Sequence, residues 1–481
     1  MDLQTVLLIL ALVFGFYMAW NIGANDVANA MGTSVGSGAL TLKRAILLAA
    51  VFEFLGAFLV GSNVAETVRK GIFDPMLFRN DPTTLAVGMI AALLAAGIWL
   101  QIATYFGWPV STTHSIVGSV VGFGVVALGI GEVDWKLVGG IAGSWVLSPI
   151  LAGATAFLVF RFLLRHIFYT ADPVAAAKRI TPFLAGSVAV VLAGVTGAKA
   201  LQPFWKDHHL SDTHWPLLIT LALAAVGGAV AAITAHKLVM RLKEEPVKEL
   251  HQYQAVFVNR SLDKALKHLR RIENITRGEI RDEARRLGLE LRDLSETVEQ
   301  QADHKVTHAA YQKVERVFSY LQVLSACFVA FAHGANDVAN AIGPLSAAVQ
   351  VLQHGVVAVR SAVPAWALGI GGIGIVAGLA TWGWRVMQTI GRRITELTPT
   401  RGFAAEFSAA ITILLASLLG LPISTTHTLV GAVLGVGLAR GIGALNLNTI
   451  RDIVASWLIT IPAGALLAVI LFEVMNSILL G

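Results

Sequence analysis

Four carboxylates stand in or beside long apolar stretches: Asp26, Glu53, Asp337 and Glu406. Such a group is expensive to place in lipid and defaults to function, as an ion ligand, a proton carrier or a counter-charge. Two of the four carry a second mark. Asp26 and Asp337 each sit in the octapeptide GANDVANA, which occurs at 23–30 and again, letter for letter, at 334–341. Gly, Asn and Asp favour turns and left-handed backbone, so the block reads as a helix breaker. At membrane depth, irregular backbone is tolerated only where it is buried in protein or lines a cavity. In this reading the carboxylates of Asp26 and Asp337, the side-chain oxygens of Asn25 and Asn336 and the unwound carbonyls can coordinate a hard cation such as sodium. The competing reading is a glycine-driven close crossing of helices. It explains the small residues but not the Asn-Asp pair.

A second duplicated block offers the opposite chemistry. PVSTTH at 109–114 and PISTTH at 422–427 read as helix starts. Pro109 and Pro422 interrupt the preceding segment, Ser111 and Ser424 are N-cap candidates, and Thr112, Thr113, Thr425 and Thr426 add hydroxyls to the first turn. Free backbone N–H groups and the positive end of the helix dipole make such a terminus an anion site. Two of them, approaching from opposite leaflets, can grip one tetrahedral oxyanion, with the amides of Asn25 and Asn336 as further donors. Neither block contains Lys or Arg. A phosphate-like dianion beside two aspartates in low dielectric is strongly repelled, so something else must bring positive charge. Bound cations do this and couple ion binding to substrate binding. Protonation of the carboxylates, or of His114 and His427, is the other route, although these histidines read first as hydrogen-bonded helix-turn residues. Glu53, in LLAAVFEFLGAFLV, and Glu406, at the head of the uncharged run 407–439, are not repeat equivalents: the repeat offset places Leu93 opposite Glu406.

The elements that hold these residues follow from composition. The 481 residues are 56% hydrophobic and 14% charged, and nearly half of the charged ones fall in 241–316. Twelve apolar segments lie near 3–20, 38–62, 84–106, 112–130, 137–165, 180–201, 215–240, 317–333, 350–385, 403–420, 424–440 and 452–480. Several match or exceed the roughly 20 residues that span a bilayer core. The runs are continuous rather than alternating, which excludes a membrane β-barrel and leaves helices. A soluble enzyme and a nucleic-acid binder are excluded despite the net charge of +6, and a disulfide scaffold is excluded because Cys327 is the only cysteine. The first segment lacks a basic lead and a cleavage site, and reads as a retained membrane helix rather than a signal peptide.

GANDVANA is not the only duplication. WPVSTTHSIVGSVVGFGV at 108–125 matches LPISTTHTLVGAVLGVGL at 421–438, and SWVLSPILAGATAFLVF at 144–160 matches SWLITIPAGALLAVILF at 456–472. The offsets are 311, 313 and 312. The chain is therefore two related halves, 1–165 and 317–481, separated by two additional membrane helices in 166–240 and a charged insert, 241–316. Seven apolar segments precede the second half, so it enters the membrane upside down, with broken helices or re-entrant hairpins at the STTH blocks. Inverted repeats mark secondary transporters, with the substrate at the repeat interface near the midplane. With both termini outside, the inner loops hold twelve basic residues (Lys43, Arg44, Arg161, Arg165, Lys178, Arg179, Arg385, Arg392, Arg393, Arg401, Arg440, Arg451). The outer loops hold seven (Arg69, Lys70, Arg79, Lys136, Lys199, Lys206, Arg360). The ends of the insert (Arg241, Lys243, Lys313, Arg316) also fall inside. This bias places the insert in the cytoplasm. Its apolar spacing at Leu262, Leu266, Leu269 and Ile272 reads as a solvated helical hairpin with i,i+4 ion pairs.

These motifs together resemble the inorganic phosphate transporters, the PiT family of sodium- or proton-coupled symporters. The resemblance rests on GANDVANAMGTSVGSGALTLKRA at 23–45, GANDVANAIGP at 334–344, PVSTTHSIVGS at 109–119 and PISTTHTLVGA at 422–432, and it extends over both halves. FEFLG at 52–56 and RGFAAE at 401–406 are similar to the sodium-coupled branch, whose glutamates at the positions of Glu53 and Glu406 are needed for transport. The chain departs from that branch at Met89, where a glutamate is usual. The resemblance implies that Asp26 and Asp337 are essential, that the STTH residues contact the anion, and that the protein is a homodimer in the plasma or inner membrane of the cell. The expectation is an all-α polytopic transporter, with no cofactor, that carries phosphate with sodium as co-substrate by alternating access. Proton-coupled transport and transport of sulfate or another oxyanion are the near alternatives, and an intramembrane metalloenzyme or a channel the distant ones.

Overall fold

The computed structural model describes residues 2–70, 72–208, 213–241, 252–301, 304–357, 363–387, 397–441 and 446–479. Lys243, Arg360, Arg392 and Arg393, which entered the sidedness argument, lie outside them, as do the side chains of Arg69, Lys70 and Lys206. In chain order the helices are α1 (Leu3–Gly36), α2 (Leu42–Val60), α3 (Ser62–Lys70), α4 (Pro82–Tyr105), α5 (Thr112–Leu128), α6 (Trp135–Leu163), α7 (Pro173–Ala200), α8 (Gln202–Asp207) and α9 (Trp215–Met240). There follow α10 (Gln252–Ile275), α11 (Glu279–Gln301), α12 (His304–His354), α13 (Ala365–Thr381), α14 (Pro399–Leu418), α15 (Thr425–Arg440) and α16 (Leu447–Leu479). Among the described residues the only β pairing is an isolated bridge between Phe73 and Val133.

Among the described residues, eight helices are long and apolar enough to cross a membrane, and α5 and α13 are shorter apolar helices. The chain is an all-helical, multi-pass membrane protein. Each of the twelve apolar segments carries a helix, although 350–385 does not hold a single one: α12 runs on to His354 and α13 begins at Ala365. Leucine, valine and isoleucine side chains of α9 (Leu217, Leu221, Val226, Val230, Ile233) and of α16 (Leu458, Leu466, Ile470) face outward, as lipid-facing surfaces require.

The chain divides into two compact units. The larger comprises Met1–Phe160, Val188–Gly227 and Ser319–Gly481, and the smaller Arg161–Ser187 and Gly228–Phe318. In the smaller unit α10 packs on α11 across a turn at Gly278, whose φ of +68° suits glycine. Leu262 is buried and Leu266 and Leu269 are half-buried, in line with the expected spacing, whereas Ile272 remains exposed. Arg286 pairs with Glu283 and Glu290 on the exposed face, at 2.6 and 3.8 Å, contacts of small energetic value. In the larger unit α1 packs against α2, α4 and α13, α16 against α4 and α5, and α14 against α15.

One sequence expectation is corrected here. GANDVANA does not unwind. Both copies lie inside continuous helices, α1 of 34 residues and α12 of 51. A Cβ at Gly23 would lie 1.9 Å from the carbonyl oxygen of Ile375 on α13, and one at Gly334 would lie 2.1 Å from that of Glu53 on α2. The glycines are there for close helix crossing, so packing overrides their weak helix propensity. The carbonyls of the block stay in the helix ladder and are not free for a cation.

The expected breaks at the STTH blocks are present. α4 ends at Tyr105 and α5 starts at Thr112; α14 ends at Leu418 and α15 starts at Thr425. Both stops have one design. Gly107 and Gly420 take φ of +69° and +70°, Trp108 N–H donates to Ala103 O and Leu421 N–H to Ala416 O, each at 2.9 Å. This six-to-one bond with a left-handed glycine is the Schellman stop. Proline follows two residues later in both copies, Pro109 and Pro422, and prevents the helix from resuming at once.

Candidate functional site

Each STTH helix begins as its sequence requires. Ser111 Oγ accepts from His114 N–H and Ser424 Oγ from His427 N–H, both at 3.2 Å, so the two serines are N-caps. The threonines then join the two turns. Thr113 Oγ1 donates to Ile423 O at 3.0 Å, and Thr426 Oγ1 donates to Val110 O at 3.2 Å. Residues more than 300 positions apart in sequence are thus brought together as reciprocal partners, each hydroxyl on the carbonyl just before the other cap. All six Ser and Thr residues of the two blocks are buried. The caps take the His114 and His427 amides, which leaves those of Thr112, Thr113, Thr425 and Thr426 as the first-turn donors that a helix does not satisfy internally.

The GANDVANA helices supply the other wall. Asn25 Nδ2 donates to Thr104 Oγ1 at 2.9 Å and Trp108 O at 3.1 Å; Asn336 Nδ2 donates to Ser417 Oγ at 3.0 Å and Leu421 O at 3.2 Å. A backbone carbonyl only accepts, which fixes the amide orientation. The donors of both asparagines therefore face the scaffold, and their Oδ1 atoms are buried with no partner. Asn29 and Asn340 repeat the pattern. Asn29 Nδ2 reaches Thr426 Oγ1 at 2.8 Å, Asn340 Nδ2 reaches Thr112 and Thr113 Oγ1 at 3.2 and 3.1 Å, and both Oδ1 atoms are unpartnered. Thr425 Oγ1 donates to Asp337 Oδ2 at 2.7 Å and Thr426 Oγ1 to Asp26 Oδ1 at 3.3 Å, while Asp26 Oδ2 and Asp337 Oδ1 receive no hydrogen bond. One wall is rich in donors and the other in free acceptor oxygens.

Asn29 and Asn340 were legible only in a continuous helix, where they fall one turn from Asn25 and Asn336 on the same face. His333 was missed for the same reason. It lies one turn before Asp337 on α12, fully buried, with Nε2 3.0 Å from Asp337 Oδ2 and 3.9 Å from Asp26 Oδ2. Its Nδ1 is 3.3 Å from Glu53 Oε1. His333 thus stands within ion-pair distance of Asp26, Asp337 and Glu53, three of the four expected carboxylates, with neither ring nitrogen in a hydrogen bond.

Glu406 stands apart from them. Its Oε1 accepts from Thr33 Oγ1 at 2.5 Å, Ser34 Oγ at 2.6 Å and Gln322 Nε2 at 3.1 Å, and its Oε2 accepts from Ser325 Oγ. Ser37 Oγ donates to Gln322 Oε1 at 2.6 Å and extends the network. None of these partners was singled out in the sequence. They come from both ends of the repeat spacing and meet only in the fold. His114 and His427 do not reach the carboxylates. Their rings meet at 4.4 Å between centroids, His114 packing on Trp145 and His427 on Trp457, and His427 Nδ1 lies 3.3 Å from Trp145 O.

Residues 22–468 match the phosphate transporter family. The chain is 47% identical to "Inorganic phosphate transporter 2-1, chloroplastic" of Arabidopsis thaliana, over 99% of this chain and 74% of that protein. A putative phosphate permease of Chlamydia pneumoniae is 45% identical, with 98% of this chain and 99% of the relative covered. A putative phosphate permease of Pyrococcus horikoshii is 42% identical, with 97% of each covered. Among solved structures the fold is similar to that titled "The sodium-dependent phosphate transporter", with a TM-score of 0.78 and 37% identity over 98% of this chain and 100% of that one.

Proposed function

From the premise that the chain belongs to the phosphate transporter family, and so is a membrane permease and not an enzyme, we propose that it carries inorganic phosphate together with sodium by alternating access. The observation that carries this reading is the meeting of a donor wall and an acceptor wall in one buried place. The hydroxyls of Ser111, Thr112, Thr113, Ser424, Thr425 and Thr426, with the first-turn amides of α5 and α15, suit a tetrahedral anion, for which Thr113, Thr425 and Thr426 turn their single protons away from Ile423 O, Asp337 and Val110 O by rotation about one bond. Asp26 and Asp337, with the Oδ1 atoms of Asn25, Asn29, Asn336 and Asn340, suit sodium. Asn25 and Asn336 thereby move from a shared role to the cation alone, because their donors already face the scaffold. Sodium ions beside the aspartates offset the repulsion that a dianion would meet, which makes the two bind together. Glu53 and Glu406 belong to the coupling machinery: Glu53 through His333, Glu406 from its own hydroxyl cluster.

In this reading the two halves are inverted repeats, and the reciprocal contacts support it. The cap, the cross-turn threonine bond and the asparagine anchor each occur twice, at the spacing of the sequence repeat. Sites built this way open to alternate sides when one half rocks against the other. The proposal places residues 1–165 and 317–481 in the two repeats, helices from 166–240 between them, and the insert 241–316 in the cytoplasm of a homodimer in the cell membrane.

Purified protein in liposomes tests the coupling. Uptake of labelled phosphate rises with an inward sodium gradient, and Asp26→Asn or Asp337→Asn abolishes it. Sulfate that competes as strongly as phosphate would change the substrate to a broader oxyanion class. A proton-coupled cycle is the second reading, kept by an imidazole, His333, lodged among three carboxylates. Uptake that follows an inward proton gradient and ignores sodium selects it.

A further inference from the structure

The coupling site holds one ligand that sodium does not call for. Sodium is a hard cation and is satisfied by oxygens, yet a buried imidazole nitrogen sits among the carboxylates. Asp26, His333 and Asp337 are all buried, and one donor atom from each of these three residues falls within 4.8 Å of the other two. Two atoms bound to one zinc ion lie about 3.3 Å apart, given bonds of about 2.0–2.2 Å. The observed separations from His333 Nε2, 3.0 Å to Asp337 and 3.9 Å to Asp26, lie on either side of that value. The other ring nitrogen supplies an independent observation. Both His333 ring nitrogens are buried without a hydrogen-bond partner, and Nδ1 lies 3.3 Å from Oε1 of fully buried Glu53, within ion-pair distance but not aligned as a hydrogen bond. A carboxylate near the far nitrogen is the usual support of a metal-bound histidine, and Glu53 is placed to take that role by aligning on Nδ1–H when an ion occupies Nε2. The pseudo-equivalent position of the first half has no such group, since the repeat offset places Ile22 opposite His333.

We propose that Asp26, His333 and Asp337 bind a divalent transition-metal ion of the zinc and cobalt class, with Glu53 orienting the imidazole, and that such an ion blocks phosphate transport. Mixed nitrogen and carboxylate donors select these ions over sodium, magnesium and calcium. A divalent ion also balances more of the local negative charge than one sodium does. The block, though not the binding, rests on the assignment of Asp26 and Asp337 to the coupling cation: an ion held by both aspartates and an imidazole leaves those oxygens unavailable to sodium.

Cobalt(II) and zinc(II) chloride are the probes, applied to the full chain in detergent without phosphate. One cobalt ion per chain is expected, with the intense visible absorption of a four-coordinate site rather than the weak band of the hydrated ion. His333→Gln is expected to abolish that absorption and weaken zinc binding about 100-fold. Glu53→Gln weakens it by about 10–100-fold, the range seen for groups that support a metal ligand from behind. His354→Gln removes an exposed imidazole at the end of α12 and leaves both readouts unchanged. Zinc binding of equal strength in the native chain and in His333→Gln overturns the proposal, as does a six-coordinate cobalt spectrum. X-ray absorption at the zinc edge decides the ligand set without any substitution: one imidazole with oxygens supports the site, and an all-oxygen or two-imidazole shell refutes it. These are equilibrium measurements, so they stand apart from sodium coupling, which is read by uptake. Zinc that binds in this way yet leaves uptake in native proteoliposomes unchanged refutes the block alone.

Discussion

An asparagine side chain can serve an anion through its nitrogen or a cation through its oxygen, and here backbone carbonyls occupy two of the nitrogens. Trp108 and Leu421 each present a carbonyl just ahead of a proline, and the amide nitrogens of Asn25 and Asn336 answer them. The oxygens are left over, beside two aspartates. The four asparagines and the six hydroxyl residues should therefore separate in kinetics. Asn29→Ala is expected to raise the sodium concentration for half-maximal uptake about tenfold, the loss of roughly 1.4 kcal/mol of binding, with a smaller effect on phosphate affinity at saturating sodium. Thr426→Val, which keeps the shape and removes the hydroxyl that bridges Asn29, Asp26 and Val110, should raise half-saturating phosphate even when sodium is in excess. Uptake measured over a grid of both ions checks the pair, and identical shifts in the two variants would dissolve the division of labour. Glu406 gives a different contrast. Its oxygens accept from four side-chain donors, so Glu406→Gln turns an amide N–H₂ toward hydroxyls and Gln322 that are already donating. An unsatisfied buried donor costs about 1–3 kcal/mol. Both the thermal midpoint in detergent and the uptake rate are expected to fall, and Glu406→Asp, which keeps the charge, should recover the stability only in part because the shorter arm cannot reach all four.

Local chemistry made some elements readable from sequence and distant packing hid others. The STTH starts were legible because a cap is a matter of four consecutive residues, and the interruptions before them because Pro109 and Pro422 cannot continue a helix; the left-handed Gly107 and Gly420 that make the stops show only in the structure. GANDVANA misled for the same local reason. Its Gly, Asn and Asp read as a breaker, whereas their use is set by partners far away: the Ile375 and Glu53 carbonyls against the glycines, and Trp108 and Leu421 against the asparagines. With the helix assumed broken, the i,i+4 relation of His333 to Asp337, and of Asn29 to Asn25, was lost, and half the acceptor wall with it. The helical crossing makes its own prediction. Gly334→Ala places a methyl 2.1 Å from a backbone oxygen that no rotamer can move, so α12 must shift from α2 and carry His333 and Asp337 away from Glu53 and Asp26. Overpacking of this kind costs about 1–3 kcal/mol or more. Gly140→Ala on α6 meets nothing within 4 Å and is expected to leave the thermal midpoint within error. Equal tolerance of the two substitutions would show that the close crossing does not hold the site.

At the scale of the whole molecule the halves share a skeleton but not their charges. The caps, stops and asparagine anchors are duplicated, yet Glu53, His333 and Glu406 are not: by the repeat offsets Ile22 answers His333 and Leu93 answers Glu406. Under the proposed function, and with the halves inverted, the anion site would be nearly symmetric while the cation machinery would favour one leaflet. Thr33 and Ser34, which bind Glu406, lie just before Lys43 and Arg44, and Gln322 just after the charged insert, so that leaflet is the one facing the cytoplasm if the basic residues set the sidedness. Sidedness is open to direct measurement because the chain has a single cysteine, buried Cys327. Cys327→Ser supplies a background in which one new thiol reports one position. Glu132→Cys, in the short link between α5 and α6, should react with a membrane-impermeant maleimide added outside intact cells. Asp263→Cys, on the exposed face of α10, should react only after the membrane is permeabilised. Both residues labelling from the same side would break the parity of crossings on which the inverted arrangement depends, since an odd number of spans must separate them. Labelling from opposite sides with the insert outside would keep the inversion and reverse the leaflet, which would put Glu406 on the entry path of the cation rather than on its way out.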